Sequence, residues 1–376
     1  MQEQLQTIDP AVLLNVVRQA QGNPNFTILD WTVRVLSDKG AVNPEGLWCF
    51  SGTGQDQYGV KPWSVVLKLL KNPGEHTKPS HLWYWKREYL AHESGLLSGL
   101  PQYVAQARSY GTHEDSLGAW LWMELLTDAT DGSWGLDEYE FAAYQLGRFN
   151  AACLMGPPVS TYSWFATNHI ETWLSLFLNE TMWTHPMVEQ TFTPQTRARV
   201  MALVEVKDRF LLTLQQLPQV FSHLDYKRSN LFLRRTSATE QEVVAVDWGD
   251  CGIAALGADL TRLVGGSTFF CDWDAAKLAN LDTIAFAAYI NGLQEIGWDG
   301  DSDVVRLAYT TWFALDWGCT APGAVAFAAE NENRAFIERI CGCTPEAVID
   351  NQVKLCEFAL ERADEARQLM VHLERP

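Results

Sequence analysis

Cations, long apolar runs and paired cysteines are scarce in this sequence, and each shortage excludes a class of protein. The 376 residues carry 28 Lys and Arg against 46 Asp and Glu, so the formal net charge is −18 and a nucleic-acid partner is not expected. No apolar window approaches the length that crosses a bilayer, and the first residues lack the basic start and apolar core of a signal peptide. We therefore expect a protein that binds neither nucleic acid nor a membrane.

The eight cysteines are scattered without a CxxC pair, so the sequence shows no disulfide framework. Only Cys341 and Cys343 are close together, and two thiols alone make a poor zinc site. Reduced, mostly buried thiols are typical of the cytoplasm, which is the compartment we expect.

The composition indicates a globular protein with a substantial core. Apolar residues make up 47% and charged residues 20% of the chain, which also contains 16 Trp and 17 Phe. Because a domain typically takes about 100 to 200 residues, this length predicts two domains or lobes.

The first third of the chain is rich in short β-branched or aromatic runs that are separated by turn residues. These runs predict a five-stranded antiparallel sheet, with one long helix after the third strand. Strands are predicted at 32–38, 46–53, 64–70, 107–111 and 119–126, and the helix at 81–99.

After residue 132 long amphipathic segments dominate, and they predict a mainly helical lobe. The segments are 137–155, 167–178, 193–217, 273–297, 303–317 and 345–373. One strand-like island interrupts them, in which VFSHLDYKRSNLFLRR and EVVAVDWGDCG predict a hairpin with polar loops. The expected class is α+β, with a first lobe at 1–126 and a helical lobe at 127–376.

This strand-like island carries the pattern His223-x-Asp225-x-Lys227-x-x-Asn230. Asp247 lies seventeen residues after Asn230. In phosphoryl transfer from a nucleotide, a loop Asp accepts the proton of the acceptor hydroxyl, while an Asn in that loop and an Asp after the next hairpin hold magnesium. We therefore expect Asp225 to be the base, and Asn230 and Asp247 to be the metal ligands. Lys227 can neutralise charge on the transferred phosphoryl group.

HLDYKRSN resembles the catalytic loop of the protein-kinase-like superfamily. The run VDWGDCGIAALGADL makes the aminoglycoside phosphotransferase and choline kinase branch the better match, where the loop reads H-G-D-x-x-x-x-N and a later D-L begins a helix. Leu224 departs from that pattern, because a Gly usually stands there. The resemblance implies a protein-kinase-like two-lobed fold, a catalytic loop at 223–230, a metal-binding segment at 247–250 and a loop-bracing role for Asp259. It also implies that His223 braces the loop.

The same resemblance requires a Lys on the third strand that pairs with nucleotide phosphates and with a Glu on the following helix. Lys68 in SVVLKLL fits the strand position. Glu88 matches the family's R-E pair in the helix, and Glu93 is the alternative partner.

The nucleotide-binding residues of the first lobe follow from the resemblance as well. Adenine is expected at a hinge near 124–126, and the phosphate-covering loop is expected at 37–46. Gly52-Thr53-Gly54 is expected to be a turn between the second and third strands. The residues implied for nucleotide binding beside Lys68 and Glu88 are Met123, Glu124, Leu125, Leu126, Gly40 and Gly46.

These observations predict a small-molecule kinase that uses ATP and Mg²⁺. Acidic residues of the helical lobe suit a cationic acceptor such as an aminoglycoside or an amino alcohol, although a solvated acidic surface explains them equally well. The rival hypothesis is a catalytically silent pseudokinase that binds nucleotide and acts by association. A protein kinase is disfavoured because the chain shows no A-P-E segment.

Asp316-Trp317-Gly318 repeats the DWG triplet, but in a helical stretch, so we expect Asp316 to be structural or to lie on the acceptor side.

Overall fold

The computed structural model describes residues 8–373 except 37–45, 73–77, 117, 131, 158, 160, 168, 179, 238 and 239. A five-stranded antiparallel sheet forms first, and a larger, mainly helical region follows. The α+β class predicted from the sequence is confirmed. Among the described helices, none combines the length and the apolar character of a membrane span.

The five strands of the sheet lie in the order β1-β2-β3-β6-β5. Their bounds are β1 Thr27–Val35, β2 Leu47–Asp56, β3 Gly59–Leu70, β5 Ser109–Asp115 and β6 Gly118–Met123. Helix α1, Pro10–Gln21, packs Leu13, Val16 and Val17 against the aromatic face of the sheet. The five antiparallel strands are as predicted, although their bounds differ by up to five residues, whereas α1 was not anticipated from the sequence.

The expectation that Gly52-Thr53-Gly54 forms a turn is wrong, because the triplet lies inside β2. The chain instead reverses between Asp56 and Gly59, which pair with each other at the end of the β2–β3 hairpin. A Cβ at Gly52 would lie 2.0 Å from the carbonyl oxygen of Asp30, and one at Gly54 would lie 2.3 Å from the ring of Phe26. Glycine is needed there because neighbouring groups approach too closely for any side chain.

Helix α2, Arg87–Glu93, is much shorter than the predicted 81–99. The carbonyls of Pro79, His81 and Leu82 accept hydrogen bonds from the side chain of Arg87, which holds the preceding segment in turns. Gly95 follows the helix with a positive φ of 75°, a conformation that ends helices.

Short strands within the helical region form two small sheets. These strands are β7 Gln219–Ser222, β8 Leu231–Arg235, β9 Gln241–Ala245 and β10 Gly252–Ala255. β8 and β9 form the predicted hairpin, β4 (Val104–Gln106) adds to β9 in parallel, and β7 pairs with β10. The polar loop between β7 and β8 is therefore held by a sheet on each side.

The helices of this region contribute most of the buried core residues. They largely follow the predicted segments. They are α3 Leu136–Met155, α4 His169–Phe177, α5 Pro186–Thr191, α6 Pro194–Glu205, α7 Lys207–Gln216, α8 Ala258–Thr261, α9 Ser267–Phe269, α10 Leu278–Glu295, α11 Ser302–Phe313, α12 Ala321–Ala329, α13 Arg334–Cys341 and α14 Pro345–Leu373. Two corrections apply: the segment 193–217 forms two helices, and Ala314–Cys319 is a π-helical turn rather than a continuation of α11. A second π-helical turn, Arg262–Gly266, follows α8.

Candidate active site

The loop between β7 and β8 begins with an unusual backbone conformation. Leu224 has a φ of 63°, in the left-handed region that favours glycine. This conformation suits the Gly that the resemblance leads us to expect at the position. The side chain of Leu224 is only 1% exposed and packs in the helical core, so burial offsets a backbone cost of about 1–2 kcal/mol.

Asp259 braces this strained turn from α8. One carboxylate oxygen accepts the backbone N–H of His223 at 2.9 Å, and the other accepts that of Leu224 at 2.6 Å. Burial raises the pKa of Asp259 to about 6, although both N–H groups oppose the rise. The carboxylate therefore lies where the family resemblance predicted a loop-bracing residue.

His223 is a second internal brace. Its Nδ1 accepts the N–H of Asp225 at 3.2 Å, so Nε2 carries the proton that contacts the carbonyl of Val246 at 3.1 Å. Burial lowers the pKa of His223, which favours the neutral ring. The imidazole thus joins the loop to the strand that leads to Asp247.

Asp225, Lys227 and Asn230 are in mutual contact, as their spacing predicted. The amide nitrogen of Asn230 donates to a carboxylate oxygen of Asp225 at 2.7 Å and to its carbonyl at 3.0 Å. The ammonium of Lys227 pairs with the same carboxylate and lies 5.1 Å from the ring centre of Phe270. The side chain of Asp225 is 21% exposed, so it remains accessible from outside.

Lys68 connects the sheet to this loop region. Its ammonium lies 2.6 Å from the carboxylate of Glu88 and 2.7 Å from that of Asp247. Glu93 instead accepts the hydroxyl of Tyr89 at 3.0 Å, so Glu88 is the partner of Lys68. Strand β3, helix α2 and the segment after β9 therefore meet at one ammonium group.

The charge of Asp247 is strongly favoured in this position. Partial burial of the carboxylate favours a higher pKa for Asp247, but the ammonium of Lys68 lowers it to about 2. The residue has a φ of 64°, and the preceding N–H of Val246 donates to the carbonyl of Asn230 at 2.9 Å. The β8–β9 hairpin thereby returns Asp247 beside the residues of the loop.

Arg87 is a residue that the sequence analysis did not assign to the site. It is wholly buried, and its guanidinium donates to five backbone carbonyls. One of them belongs to Gly249, at 2.7 Å, and another to Trp164, at 2.6 Å. The R-E pair in the sequence could have identified Arg87, because only the Glu of that pair was assigned a role.

Arg228 has a comparable role on the other side of the loop. Its guanidinium pairs with Asp128 at 2.9 Å, donates to the carbonyl of Gly132 at 3.1 Å and lies 4.4 Å from the ring centre of Trp134. It thus ties the loop to the chain that leaves β6. Tyr226, also unassigned from the sequence, is buried and donates to the carbonyl of Ala142 at 3.2 Å.

The predicted hinge residues follow β6 directly. Met123 is buried beside Leu121 and Ala119. The side chain of Glu124, and not only its main chain, has a role here. The carboxylate of Glu124 pairs with Arg234 of β8 at 2.6 Å and accepts the N–H of Arg108 at 2.9 Å. This side chain links the end of the sheet to the helical region.

Two nucleotide-binding predictions concern the segment before β2. Gly40 and the rest of 37–45 lie outside the described residues. Gly46 is the first described residue after that gap, and a Cβ there would lie 2.8 Å from the carbonyl oxygen of Leu69. The structure thus explains the glycine at 46 by its close approach to β3.

Oxygen atoms suited to a hard cation are present at the site. Because the amide nitrogen of Asn230 serves as donor, its amide oxygen remains as a possible ligand beside the carboxylate of Asp247, whose side chain is 47% exposed. Within the described part of the chain, no three His, Cys, Asp or Glu side chains converge as a metal cage. The residues fit Mg²⁺, which takes one or two protein oxygens and completes its shell with phosphate and water.

Asp316, in the second DWG triplet, is fully buried in a different environment. It accepts the indole N–H of Trp312 at 3.0 Å and pairs with Arg262 at 3.2 Å. Burial raises the pKa of Asp316, which the guanidinium of Arg262 opposes. All eight cysteines, Cys341 and Cys343 included, have free thiols.

The fold and this cluster of side chains define a phosphotransferase. The model of the phosphotransferase enzyme family (APH) matches residues 86–299, more than half of the chain. The chain belongs to that family, as the resemblance of its motifs predicted. Among curated proteins, none matches the chain in sequence.

The chain is similar to several solved structures of kinases that act on small molecules. The microcompartment-associated aminopropanol kinase is 12% identical with a TM-score of 0.53, and the alignment covers 95% of this chain and 98% of that one. Two further structures have lower TM-scores of 0.48 at 14% identity. They are the amicoumacin kinase hAmiN, covering 93% of this chain and 96% of that chain, and a choline/ethanolamine kinase family protein from Mesorhizobium loti, covering 90% and 91%. At 12% identity, the likeness to the aminopropanol kinase shows the fold alone.

Proposed function

We propose that this phosphotransferase moves the γ-phosphoryl group of ATP to a hydroxyl group of a small molecule, with Asp225 as the base. The observation that carries the proposal is the ammonium of Lys68, which lies within 2.7 Å of both Glu88 and Asp247. A Lys so fixed can bind nucleotide phosphates without rearrangement, because both carboxylates already orient it. The proposal keeps 1–126 as the nucleotide-binding lobe and 127–376 as the lobe that carries the loop.

Nucleotide binding is proposed at the chain that follows β6. The N–H of Glu124 donates to the carbonyl of Arg108 at 3.0 Å, so adenine would use the carbonyl of Glu124 and the main chain of Leu125 and Leu126. Met123 would line the pocket from its buried position at the end of β6. The pair of Glu124 with Arg234 would hold these main-chain groups in place.

In the loop, Asp225 would orient the acceptor hydroxyl and take its proton as the oxygen attacks. Asn230 holds the carboxylate of Asp225 through its amide nitrogen, and Lys227 contacts the same group. Lys227 would then stabilise negative charge on the transferred phosphoryl group. Asn230 and Asp247 would hold a magnesium ion, which neutralises charge on the nucleotide phosphates when bound.

The test is ATP consumption by the purified full chain with aminoglycosides, choline, ethanolamine, homoserine and sugars. The Asp225→Ala variant serves as the blank, and we expect it to lose about two to four orders of magnitude of turnover. Wild-type turnover retained in this variant would refute the base. Binding of Mg²⁺ and a non-hydrolysable ATP analogue without consumption of ATP for any acceptor would favour the silent pseudokinase.

A further inference from the structure

Strand β1 forms one edge of the five-stranded sheet and pairs with β2 on one side. On its other side, no described strand pairs with it. Two large apolar side chains are exposed along β1, Leu29 at 52% and Val35 at 41%. An open edge with apolar side chains is a template for a further strand, unless its own charges or a proline prevent pairing.

The backbone of β1 divides its hydrogen-bonding groups between the two sides. Directly after the strand, the N–H of Leu36 donates to the carbonyl of Leu47 in β2 at 2.9 Å. Because main-chain groups alternate between the two sides of a strand, every second residue before Leu36 also faces β2. The residues between them direct their N–H and C=O groups to the open side, and they are Trp31, Val33 and Val35.

The charges of β1 are complementary to those of a second, antiparallel copy of the same strand. When the two-fold axis passes through Thr32, Asp30 lies opposite Arg34 of the second copy, and the reverse pair forms as well. Both side chains are exposed and lie on the same face of the strand. The carboxylate of Asp30 is held at this edge by the N–H and the hydroxyl of Thr53, at 2.8 and 2.7 Å. Opposite charges across an antiparallel pair stabilise that pair.

The same register also suits the backbone and the apolar side chains. Trp31 lies opposite Val33 of the second copy, and both residues direct their main chain to the open side, so they can exchange hydrogen bonds. The exposed Leu29 lies near the exposed Val35 of the second copy. The β-bulge that precedes Asp30 lies at the end of this ladder. Moving the axis by one residue in either direction removes both ion pairs.

The opposite edge of the sheet does not offer such a fit. Strand β5 carries Glu114 and Asp115 but no Lys or Arg, so two copies of β5 would form no such ion pair. Glu114 already pairs with Lys86. In β1, by contrast, one acid and one base lie at equal distances from Thr32. A two-fold contact requires a surface that is complementary to itself, and β1 has this property.

We propose that two copies of the chain associate through antiparallel pairing of their β1 strands, which joins the two sheets into one. A contact through single strands buries little area, so the dimer should be weak, with a micromolar dissociation constant. Each copy has a net charge of −18, so repulsion opposes any contact without local ion pairs. Lys68 lies on β3, two strands from this edge, and the inference does not depend on the proposed phosphoryl transfer.

The test is sedimentation velocity of the full chain at concentrations up to about 200 μM, where the wild-type chain should form dimers. Asp30→Arg and Arg34→Asp each place like charges at both ion-pair positions. Either variant alone should therefore raise the dimer dissociation constant by about tenfold or more. An equal mixture of the two variants again places opposite charges together, so it should dimerise as the wild-type chain does.

Arg235→Asp is the matched control, since Arg235 is an exposed arginine at the end of β8, which is itself an edge strand. This variant should leave the dissociation constant unchanged. Val33→Pro is a second test that does not involve charge, because it removes an N–H from the open side and should weaken the dimer. Circular dichroism shows whether each variant is folded. A wild-type chain that stays monomeric, dimers that persist in both charge variants, or a mixture that stays monomeric overturns the inference.

Discussion

The guanidinium of Arg87 donates a hydrogen bond of 2.7 Å to the carbonyl of Gly249, and so joins helix α2 to the segment that begins at Asp247. Its neighbour Glu88 reaches the same segment through Lys68. Consecutive residues of one short helix therefore hold both ends of the segment 247–249. This arrangement fixes the position of the Lys68 and Asp247 pair.

Replacing Arg87 should destabilise the protein strongly. Arg87→Met leaves five backbone carbonyls without their donor, and we expect the free energy of unfolding to fall by at least about 3 kcal/mol. Urea denaturation measures the change. Arg235→Met, at an exposed arginine of β8, should change stability by no more than about 0.5 kcal/mol. Equal losses in the two variants would contradict a specific role for the carbonyl cluster.

Lys68 should matter for turnover far more than Lys61, the other lysine of its strand. Lys68→Met removes the cation shared by Glu88 and Asp247, and we expect kcat/KM for ATP to fall about 100-fold or more. Lys61→Met is the control, since Lys61 lies on the same strand and pairs with Asp56 away from the loop. Steady-state kinetics of both variants check the prediction, and comparable activities would count against it.

At position 224, glycine should give a more stable protein than alanine, which reverses the usual order. Either replacement loses a buried side chain, at a cost of about 2–5 kcal/mol, but only glycine relieves the positive φ of 63°. Leu224→Gly should therefore be more stable than Leu224→Ala, as measured by urea unfolding midpoints. At Leu233, buried in strand β8, the order should be the usual one, with alanine the more stable. The same order at both positions would show that the backbone of Leu224 is not strained.

Asp259 should make the protein less stable as pH rises. Its pKa is raised from 3.8 to about 6 in the folded protein, so between about pH 4 and 6 the native state binds more protons than the unfolded state. The free energy of unfolding therefore loses this contribution progressively as pH rises through that window. Asp259→Asn should flatten the slope, measured by chemical denaturation at several pH values. An equal slope in the wild-type chain and in Asp259→Asn would contradict the prediction.

Several features could be predicted because they depend on residues close together in sequence. The spacing from Asp225 to Asn230 fits one loop, and the alternating pattern of β3 identified Lys68 as a strand residue. The choice of Glu88 over Glu93 was also correct, since the 2.6 Å contact with Lys68 belongs to Glu88. The length of α2 was not predictable, because the bonds that hold residues 79–82 in turns come from the side chain of Arg87.

The sequence by itself determined the five strands of the first sheet, the helical character of most later segments and the polar residues that belong to the loop, because periodicity and spacing are local properties of a chain. Only the tertiary structure decided why Gly52 has no side chain, how Leu224 tolerates a left-handed backbone and which carbonyls satisfy Arg87. Each of these depends on atoms far apart in sequence, such as Arg87 and Gly249, that approach only when the core packs. Burial then fixes which polar groups are satisfied, and leaves the Nε of Arg262 without a partner in the described chain.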